Sequence, residues 1–272
     1  MYICRRIKYY FSVAGAFMKI SAQSALEYPI NLLGWVLVNP IQFILGFATI
    51  KFVVEQFGTL AGWGYQELSF LYGLSVLSHG LAVMFFIQTW RMGKYIIRGE
   101  FDQFLLRPMN VIFQFLFMYF NLIGISDLIP GLIVFIYGCN KVHFQFSFVN
   151  ILLLIATVIG GVLIRGAIWI LCGSVTFWTK STSGFIDFTK ELFDRTTMYP
   201  ISIYPKTVQW IFTFLLPLGW ITFYPANALL GREGASIPAG MALITLLIGV
   251  LMLGISCMVF MLGMNKYESA GS

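Results

Sequence analysis

Charge is scarce in this sequence. Only 10% of its 272 residues are Asp, Glu, Lys or Arg, 59% are hydrophobic, and the mean hydropathy is +0.84. A soluble domain carries about 25% charged residues, so a folded chain of this composition has too little polar surface to stay dispersed in water. The shortage excludes a soluble globular protein and predicts an all-α integral membrane protein, because a spanning helix needs about 20 mostly apolar residues.

Cysteine and histidine are also scarce. The four cysteines form no CxxC motif, and the two histidines, His79 and His143, lie far apart. This spacing argues against a disulfide framework and against zinc ligation, so we expect no metal site. We interpret His79, which lies in an apolar helix, as a packing residue with a local partner rather than as part of a proton relay.

Motifs for nucleotide binding and catalysis are missing. The sequence has no GxxxxGK[ST] and no GxGxxG, and no Ser, His and Asp residues are grouped. We therefore expect a chain that is not an enzyme and binds no cofactor itself. The net charge of +6 indicates membrane topology rather than nucleic-acid binding, because Lys and Arg concentrate in loops and at helix ends.

Apolar runs extend along the whole chain, which predicts a single transmembrane domain over residues 1–272. Residues 1–27 have an apolar helical face and basic residues off it, which predicts an amphipathic helix in the membrane interface. Residues 200–233 contain four prolines, and the pieces between them are too short to span, so a re-entrant pair of half-helices is predicted. Six transmembrane helices are predicted at about residues 28–54, 68–90, 111–138, 148–178, 180–199 and 237–264.

Lys and Arg are more frequent on the side of the N-terminus than on the other side. If residues 180–199 cross the membrane, both termini are cytoplasmic; if they do not, the C-terminus lies outside. The inner segments then hold Arg5, Arg6, Lys8, Lys19, Arg91, Lys94, Arg98, Arg107, Lys180 and Lys266, and the outer ones Lys51, Lys141, Lys206 and Arg232.

Residues 91–110 are the most clearly charged stretch. They predict a short cytoplasmic helix at 91–107 that lies across the ends of two spans and ends before Pro108. An apolar stripe at a loop tip favours a docking element for a cytoplasmic partner over an ordinary surface loop. The stripe holds Ile97, Phe101, Phe104 and Leu105.

Two motifs in this sequence resemble a known family. The run IIRGEFDQFLLRPMNVIFQ at residues 96–114 is similar to a signature of bacterial ABC exporter permeases of the second type, in which Gly-Glu/Asp-hydrophobic-Asp leads into Leu-Leu-Arg-Pro and Asn. Residues 202–231 resemble the same group, with Tyr-Pro at 204–205, Leu-Pro at 216–217 and Tyr-Pro-Ala at 224–226. The resemblance covers nearly the whole chain in order and spacing.

The resemblance implies a function and partners. It implies six spans, an N-terminal interfacial helix, a coupling helix that contacts a separate cytoplasmic ABC ATPase dimer holding ATP and Mg²⁺, and a re-entrant helical pair before the last span. It also implies a second permease, a copy or a different chain, and a bacterial inner membrane. The substrate stays open. The implied ATPase-coupling residues are Arg98, Gly99, Glu100, Phe101, Asp102, Leu105 and Arg107.

The predicted helix at 180–199 is polar. Charged residues recur at i, i+3, i+4 and i+7, which places them on one face, and two pairs have i,i+4 spacing. Charges in a span usually face a bundle interior or a wet cavity, so this face is a candidate for the translocation route or the permease interface. An interfacial helix with solvated charges is the alternative. The residues are Asp187, Lys190, Glu191, Asp194 and Arg195.

Two further charges, Asp127 and Arg165, fall within predicted spans. Spans three and four are antiparallel neighbours, so a structural ion pair is a more natural role for these residues than substrate contact, although their depths differ by several residues.

Two other functional classes are alternatives to an exporter permease. A stand-alone secondary transporter or channel would need no ATPase, and a membrane enzyme would need a clustered catalytic set.

Overall fold

The computed structural model of the chain is helical, as its composition predicts. It describes residues 2–180, 183–232 and 242–268, with all side chains except those of residues 2–4, 7, 31, 183–186, 194 and 195. These ranges contain no β-strand. The helices are α1 (Tyr2–Glu27), α2 (Pro29–Phe57), α3 (Tyr65–Phe86), α4 (Met92–Ile97), α5 (Asp102–Leu105), α6 (Val111–Phe117), α7 (Gly124–Lys141), α8 (Phe148–Ser174), α9 (Thr176–Thr179), α10 (Ser183–Thr196), α11 (Lys206–Trp210), α12 (Phe223–Leu229) and α13 (Ala242–Met264).

Several helical stretches are long and apolar enough to cross a membrane, which makes the chain a multi-pass membrane protein. One further candidate is a bent pair, Lys206–Leu215 and Leu218–Leu229, whose two arms meet at 76°. Pro217 lies at the bend, where its ring and missing N–H stop the first arm from continuing. By length and apolarity the described residues thus hold four spans, or five with the bent pair: Leu32–Phe57, Tyr65–Ile97, Phe148–Thr179 and Ala242–Met264.

The predicted third span is interrupted. Instead of one helix over residues 111–138, the chain forms α6, an irregular segment at 118–123, and α7, so the predicted continuity is wrong. Backbone groups of the irregular segment have partners: Phe120 N–H donates to Ser21 Oγ (3.1 Å) and Asn121 N–H to Met84 O (3.1 Å). Such partners lower the cost of breaking a helix in an apolar environment.

The other predicted elements agree better with the structure. The helix predicted for residues 1–27 is α1, which begins the chain and is separated from α2 only at Tyr28, before Pro29 in the first turn of α2. The predicted last span matches α13, except that residues 237–241 lie outside the described ranges. That α1 lies in the membrane interface stays a prediction.

Two sets of contacts mark opposite ends of the helix bundle. At one end, here the Phe101 end, the Phe101 ring lies 5.2 Å from Phe177 beside α8 and 5.2 Å from Tyr267 after α13, between ring centroids. At the other, here the Arg232 end, Arg232 after α12 donates to the carbonyl of Gly62 in the α2–α3 loop (2.7 Å). Helices α3 and α8 each run from one end to the other.

Glycines allow the central helices to pack closely. A Cβ added to Gly138 of α7 would lie 2.5 Å from the backbone nitrogen of Phe70 in α3, and one added to Gly160 of α8 would lie 2.7 Å from that of Leu246 in α13. Any larger side chain at these positions would push the helices apart. Small residues at such contacts are typical of membrane helix packing, where backbones approach closely.

Candidate functional site

Residues 91–107 form a folded turn rather than one helix. A 3-10 turn over Ile87–Arg91 leads into α4, the chain reverses at Gly99 with φ of +71°, and α5 follows. The prediction of a single short helix across residues 91–107 is therefore wrong in its geometry. The left-handed φ at Gly99 favours glycine, and Phe101 N–H donates to Tyr95 O (3.0 Å), which closes the turn.

The turn separates the residues of the predicted apolar stripe. Phe101 and Phe104 are fully buried, whereas Ile97 and Leu105 are exposed. The Phe101 ring contacts the rings of Phe104, Phe115, Phe177, Phe260 and Tyr267. Phe101 is therefore an internal anchor of the segment and not a side chain that a partner can reach.

An exposed, charged surface surrounds this anchor. Arg98 and Glu100 are exposed and lie 3.9 Å apart, between Nη1 and Oε1. Arg107 is exposed, and Gly99 and Asp102 are partly so. Leu106 is the most exposed of the large hydrophobic side chains in this segment, at 85%. The predicted coupling residues other than Phe101 are thus all at least partly accessible.

Helix α1 reaches the same region. The Tyr10 ring packs on Phe113 of α6 (4.7 Å between centroids), and its hydroxyl accepts from the N–H of Asn110 (3.3 Å). Tyr9 donates to Met109 Sδ (3.4 Å). The N-terminal helix is therefore in contact with the chain that leaves residues 91–107, here called the coupling segment after its predicted role.

The polar helix predicted at 180–199 is α10. It has 14 residues, a length of about 21 Å, which by itself is short for a span. Asp187 and Glu191 are exposed, while Lys190 is half-buried and its Nζ lies 3.5 Å from Asp187 Oδ1. The predicted pairs of Lys190 with Asp194 and of Glu191 with Arg195 fall on side chains outside the described residues.

Lys190 turns toward a cavity of about 450 Å³ between α2, α3, α7, α8 and α10, here the polar cavity. Its ammonium lies 4.3 Å from the centroid of the Trp90 ring. A second cation, Arg91, lies 4.3 Å from the Tyr119 centroid, and its Nη2 is 3.5 Å from the Tyr119 hydroxyl. The aromatic residues of the lining are Trp35, Phe43, Trp90, Tyr119, Trp169 and Phe193.

Asp127 lines the polar cavity and is 1% exposed. Its Oδ1 accepts from Asn39 Nδ2 (2.9 Å), and its Oδ2 lies 3.3 Å from Nδ1 of His79, outside hydrogen-bond geometry. His79 packs between the rings of Phe43 and Trp169 (5.8 and 6.3 Å between centroids), which agrees with the predicted packing role; that it takes no part in a proton relay stays a prediction.

Arg165 is also buried, but its partners differ from those of Asp127. Its Nη2 donates to Thr197 Oγ1 (2.7 Å) and Ser75 Oγ (3.0 Å), and its Nε to Ser78 Oγ (3.4 Å). The expected ion pair between Asp127 and Arg165 is therefore not formed. Arg165 connects α8 to α3 and to the chain that follows α10.

Sequence reasoning missed the residues that hold these two charges. Asn39 carries one weak signal, since it is a polar residue beside Pro40 in an apolar run. Ser75 and Ser78 have helical i,i+3 spacing on α3, but small hydroxyl residues also occur where no charge needs them. Each pairing depends on which helices are neighbours, and periodicity does not give that.

A comparison with protein families finds one that matches most of the chain. Residues 37–271 match the family model described as ABC-2 family transporter protein. No curated protein matches the chain by sequence. The matched range begins within α2 and includes the coupling segment, the residues that line the polar cavity from α3 onward, and the bent pair.

Proposed function

The chain belongs to the ABC-2 transporter family, and on that premise we propose that it is the membrane-spanning permease subunit of an ATP-driven exporter. Permeases of this family generally work with an ABC ATPase. ATP and Mg²⁺ then bind in a separate cytoplasmic ATPase dimer, and this chain contributes no catalytic residue. The substrate moves outward when ATP binding and hydrolysis drive the ATPase subunits together and apart.

The observation that carries the proposal is the construction of the coupling segment. Its surface at Arg98, Glu100 and Leu106 is accessible, while Phe101, in the same turn, is anchored among aromatic rings from α6, α9 and α13. A force applied at the surface by a partner would reach three helices through one rigid cluster, because closely packed interiors transmit displacement.

The contacts at the two bundle ends support six crossings and cytoplasmic termini. The chain passes between the ends in α2, in α3, in α6 with α7, and in α8. It passes again between Lys180 and Arg232, and finally in α13, since Tyr267 returns to Phe101. Helix α10 is too short alone, so the fifth crossing needs the residues that follow it. The excess of Lys and Arg at the Phe101 end supports a cytoplasmic location for that end, and a bacterial inner membrane is part of the proposed function.

Helix α2 supports the proposed second permease. Most of its apolar side chains, such as Leu33, Leu37 and Leu45, are exposed in the single chain. Lipid would cover such a face equally well. The contact between α2 and a second permease is therefore proposed from the family and not from this exposure alone. The partner is either a copy of this chain or a different permease.

Co-purification and ATPase activity test the proposed function. The full-length chain is expressed with its genomic neighbour ATPase, and we expect a stable complex whose ATPase rate exceeds that of the free ATPase. The double variant Arg98→Ala/Glu100→Ala should lower that stimulation at least several-fold without loss of folded permease. An unchanged stimulation would contradict the docking role.

A matched control lies at the opposite end of the bundle. Lys51 and Glu55 form an exposed i,i+4 ion pair (3.7 Å), so Lys51→Ala/Glu55→Ala removes the same types of charge. Exposed pairs contribute only about 0.3–0.5 kcal/mol, and we expect the control to keep both complex formation and ATPase stimulation. Transport into inverted membrane vesicles tests the outward direction.

A stand-alone secondary transporter is the second candidate function. The observation that favours it is the pair of titratable groups, His79 and Asp127, in the lining of the polar cavity. Such a transporter would work without an ATPase and stop when the proton gradient is removed. Transport that survives a protonophore but requires the ATPase would reject it.

A further inference from the structure

The polar cavity has the size and composition of a binding site. Its volume of about 450 Å³ falls in the range of about 300–1,000 Å³ that small-molecule sites occupy. Six of the 16 residues that line it are Phe, Trp or Tyr, and Trp90 and Trp169 are in edge-to-face contact (5.0 Å between centroids). A ligand with a flat or chain-like apolar body would bury its surface against these rings.

Among the described residues that line the cavity, cations outnumber carboxylates by two to one: Arg91 and Lys190 against Asp127. Arg91 forms no ion pair with a carboxylate among the described residues, and Lys190 has only Asp187, whose side chain is 71% exposed. The buried carboxylate, Asp127, is already bound by Asn39 and lies against His79. Asp187 does not line the cavity, so the two cations share it with one carboxylate, Asp127, among the described residues of the lining.

The arrangement of the cations also disfavours a cationic ligand. The faces of Tyr119 and Trp90, which could bind a cation, already carry Arg91 and Lys190 (each 4.3 Å from the centroid). Arg91 lies on the 3-10 segment and Lys190 on α10, and both line the polar cavity. An incoming positive charge would meet two others there, whereas an anion would be bound by both.

We propose that the polar cavity binds an amphipathic molecule whose anionic group, a phosphate or a carboxylate, contacts Arg91 and Lys190 and whose apolar body lies against the aromatic wall. This assignment rests on the proposed function, because it names the class of molecule that the permease carries or retains. The same chemistry belongs to an exported amphiphile and to a resident anionic lipid, and the experiment separates the two.

Direct binding tests the assignment. The full-length chain in maltoside micelles is titrated with tritiated decyl phosphate in a scintillation proximity assay, and unlabelled decyl phosphate, decyl maltoside and decyltrimethylammonium compete. The three competitors share one chain length and differ in the head group. We expect decyl phosphate to compete best and decyltrimethylammonium least, and equal competition by all three would overturn the proposal.

Variants of the two cations locate the site. Arg91→Gln and Lys190→Gln should each weaken decyl phosphate binding by about ten-fold or more, because each removes a charge-assisted contact, and the double variant should lose the preference for phosphate. Arg91→Lys keeps the charge and should keep most of the affinity, which guards against a folding defect. Lys141→Gln is the control, since Lys141 also lies over a tyrosine ring (5.7 Å from the Tyr137 centroid) but outside this cavity. Unchanged binding by the double variant would overturn the proposal.

Two further measurements identify the source of the ligand. Stimulation of ATPase activity by decyl phosphate in the assembled complex indicates an exported amphiphile. Competition by phosphatidylglycerol without such stimulation indicates a resident lipid. Both results support binding of an anionic head group by the two cations. The complex also separates this inference from the proposed function. A chain that binds its ATPase but shows no head-group preference would contradict this inference and leave the proposed function standing. A chain that prefers the phosphate head group but binds no ATPase would contradict the proposed function and leave the binding chemistry standing.

Discussion

A single buried carboxylate, Asp127, shows how this protein keeps charge inside an apolar bundle. Its neighbours come from two other helices: Asn39 of α2 donates to it, and His79 of α3 lies beside it. A buried charge is costly unless it is hydrogen-bonded or paired. The three residues thus join α2 to the centre of the bundle.

Removing the amide of Asn39 should therefore destabilise the protein. Asn39→Leu keeps the size of the side chain and takes one donor from Asp127, and we expect a loss of about 1–2 kcal/mol, which corresponds to a buried hydrogen bond to a charged group. Thermal unfolding of the purified protein in detergent, followed by circular dichroism, measures the change.

The control is Gln42→Leu. Gln42 also lines the polar cavity from α2, but its side chain makes no hydrogen bond within the described part of the chain. We expect this substitution to be neutral. Equal destabilisation by both variants would mean that the amide of Asn39 has no special role.

At the scale of helices, the sequence predicted long apolar elements well and their interruptions poorly. Helices α2, α8 and α13 follow from apolar runs of sufficient length. The break at 118–123 does not, because its backbone partners, Ser21 and Met84, are distant in sequence. The turn at Gly99 was not predicted either. The apolar periodicity of residues 91–107 is that of a helix, but the chain reverses at Gly99 because burying Phe101 requires it.

The close approach of α3 and α7 gives a prediction for these two elements. Gly138→Leu would place a side chain against the backbone of Phe70, and overpacking of this kind costs about 1–3 kcal/mol. We expect a lower yield of folded protein on size-exclusion chromatography and a lower thermal midpoint in detergent.

The control for Gly138→Leu is the same glycine-to-leucine substitution at a position with free space around it. A Cβ at Gly34 of α2 would meet no atom within 4 Å, so Gly34→Leu should leave the folded yield and the midpoint unchanged. If Gly34→Leu were as damaging as Gly138→Leu, helix propensity or lipid contact rather than the α3–α7 packing would explain the loss.

At the scale of the whole molecule, the two bundle ends define the topology. We expect exposed positions of the Phe101 end, such as 8, 98 and 266, to react with an impermeant maleimide only from the cytoplasmic side. Positions 56 and 145, at the Arg232 end, should react only from outside. Single cysteines in a cysteine-free variant, labelled in intact cells and in inverted vesicles, provide the measurement.

Labelling of position 266 from outside, with position 98 labelled from inside, would contradict the proposed six crossings. It would mean that the chain between Lys180 and Arg232 does not cross. The sequence could not decide this question, because α10 is polar and the bent pair is interrupted by prolines. The structure addresses it through contacts at the ends, which no local pattern encodes.

The position of Tyr267 has a consequence for handling the protein. Its ring lies against Phe101 and Phe177 (5.2 and 6.2 Å between centroids), so the residues after α13 are part of the cluster that anchors the coupling segment. An affinity tag or fluorescent fusion joined directly after residue 264 would displace that ring, and under the proposed function it would weaken coupling to the ATPase while leaving the spans intact. A linker that begins after residue 268 avoids this artefact.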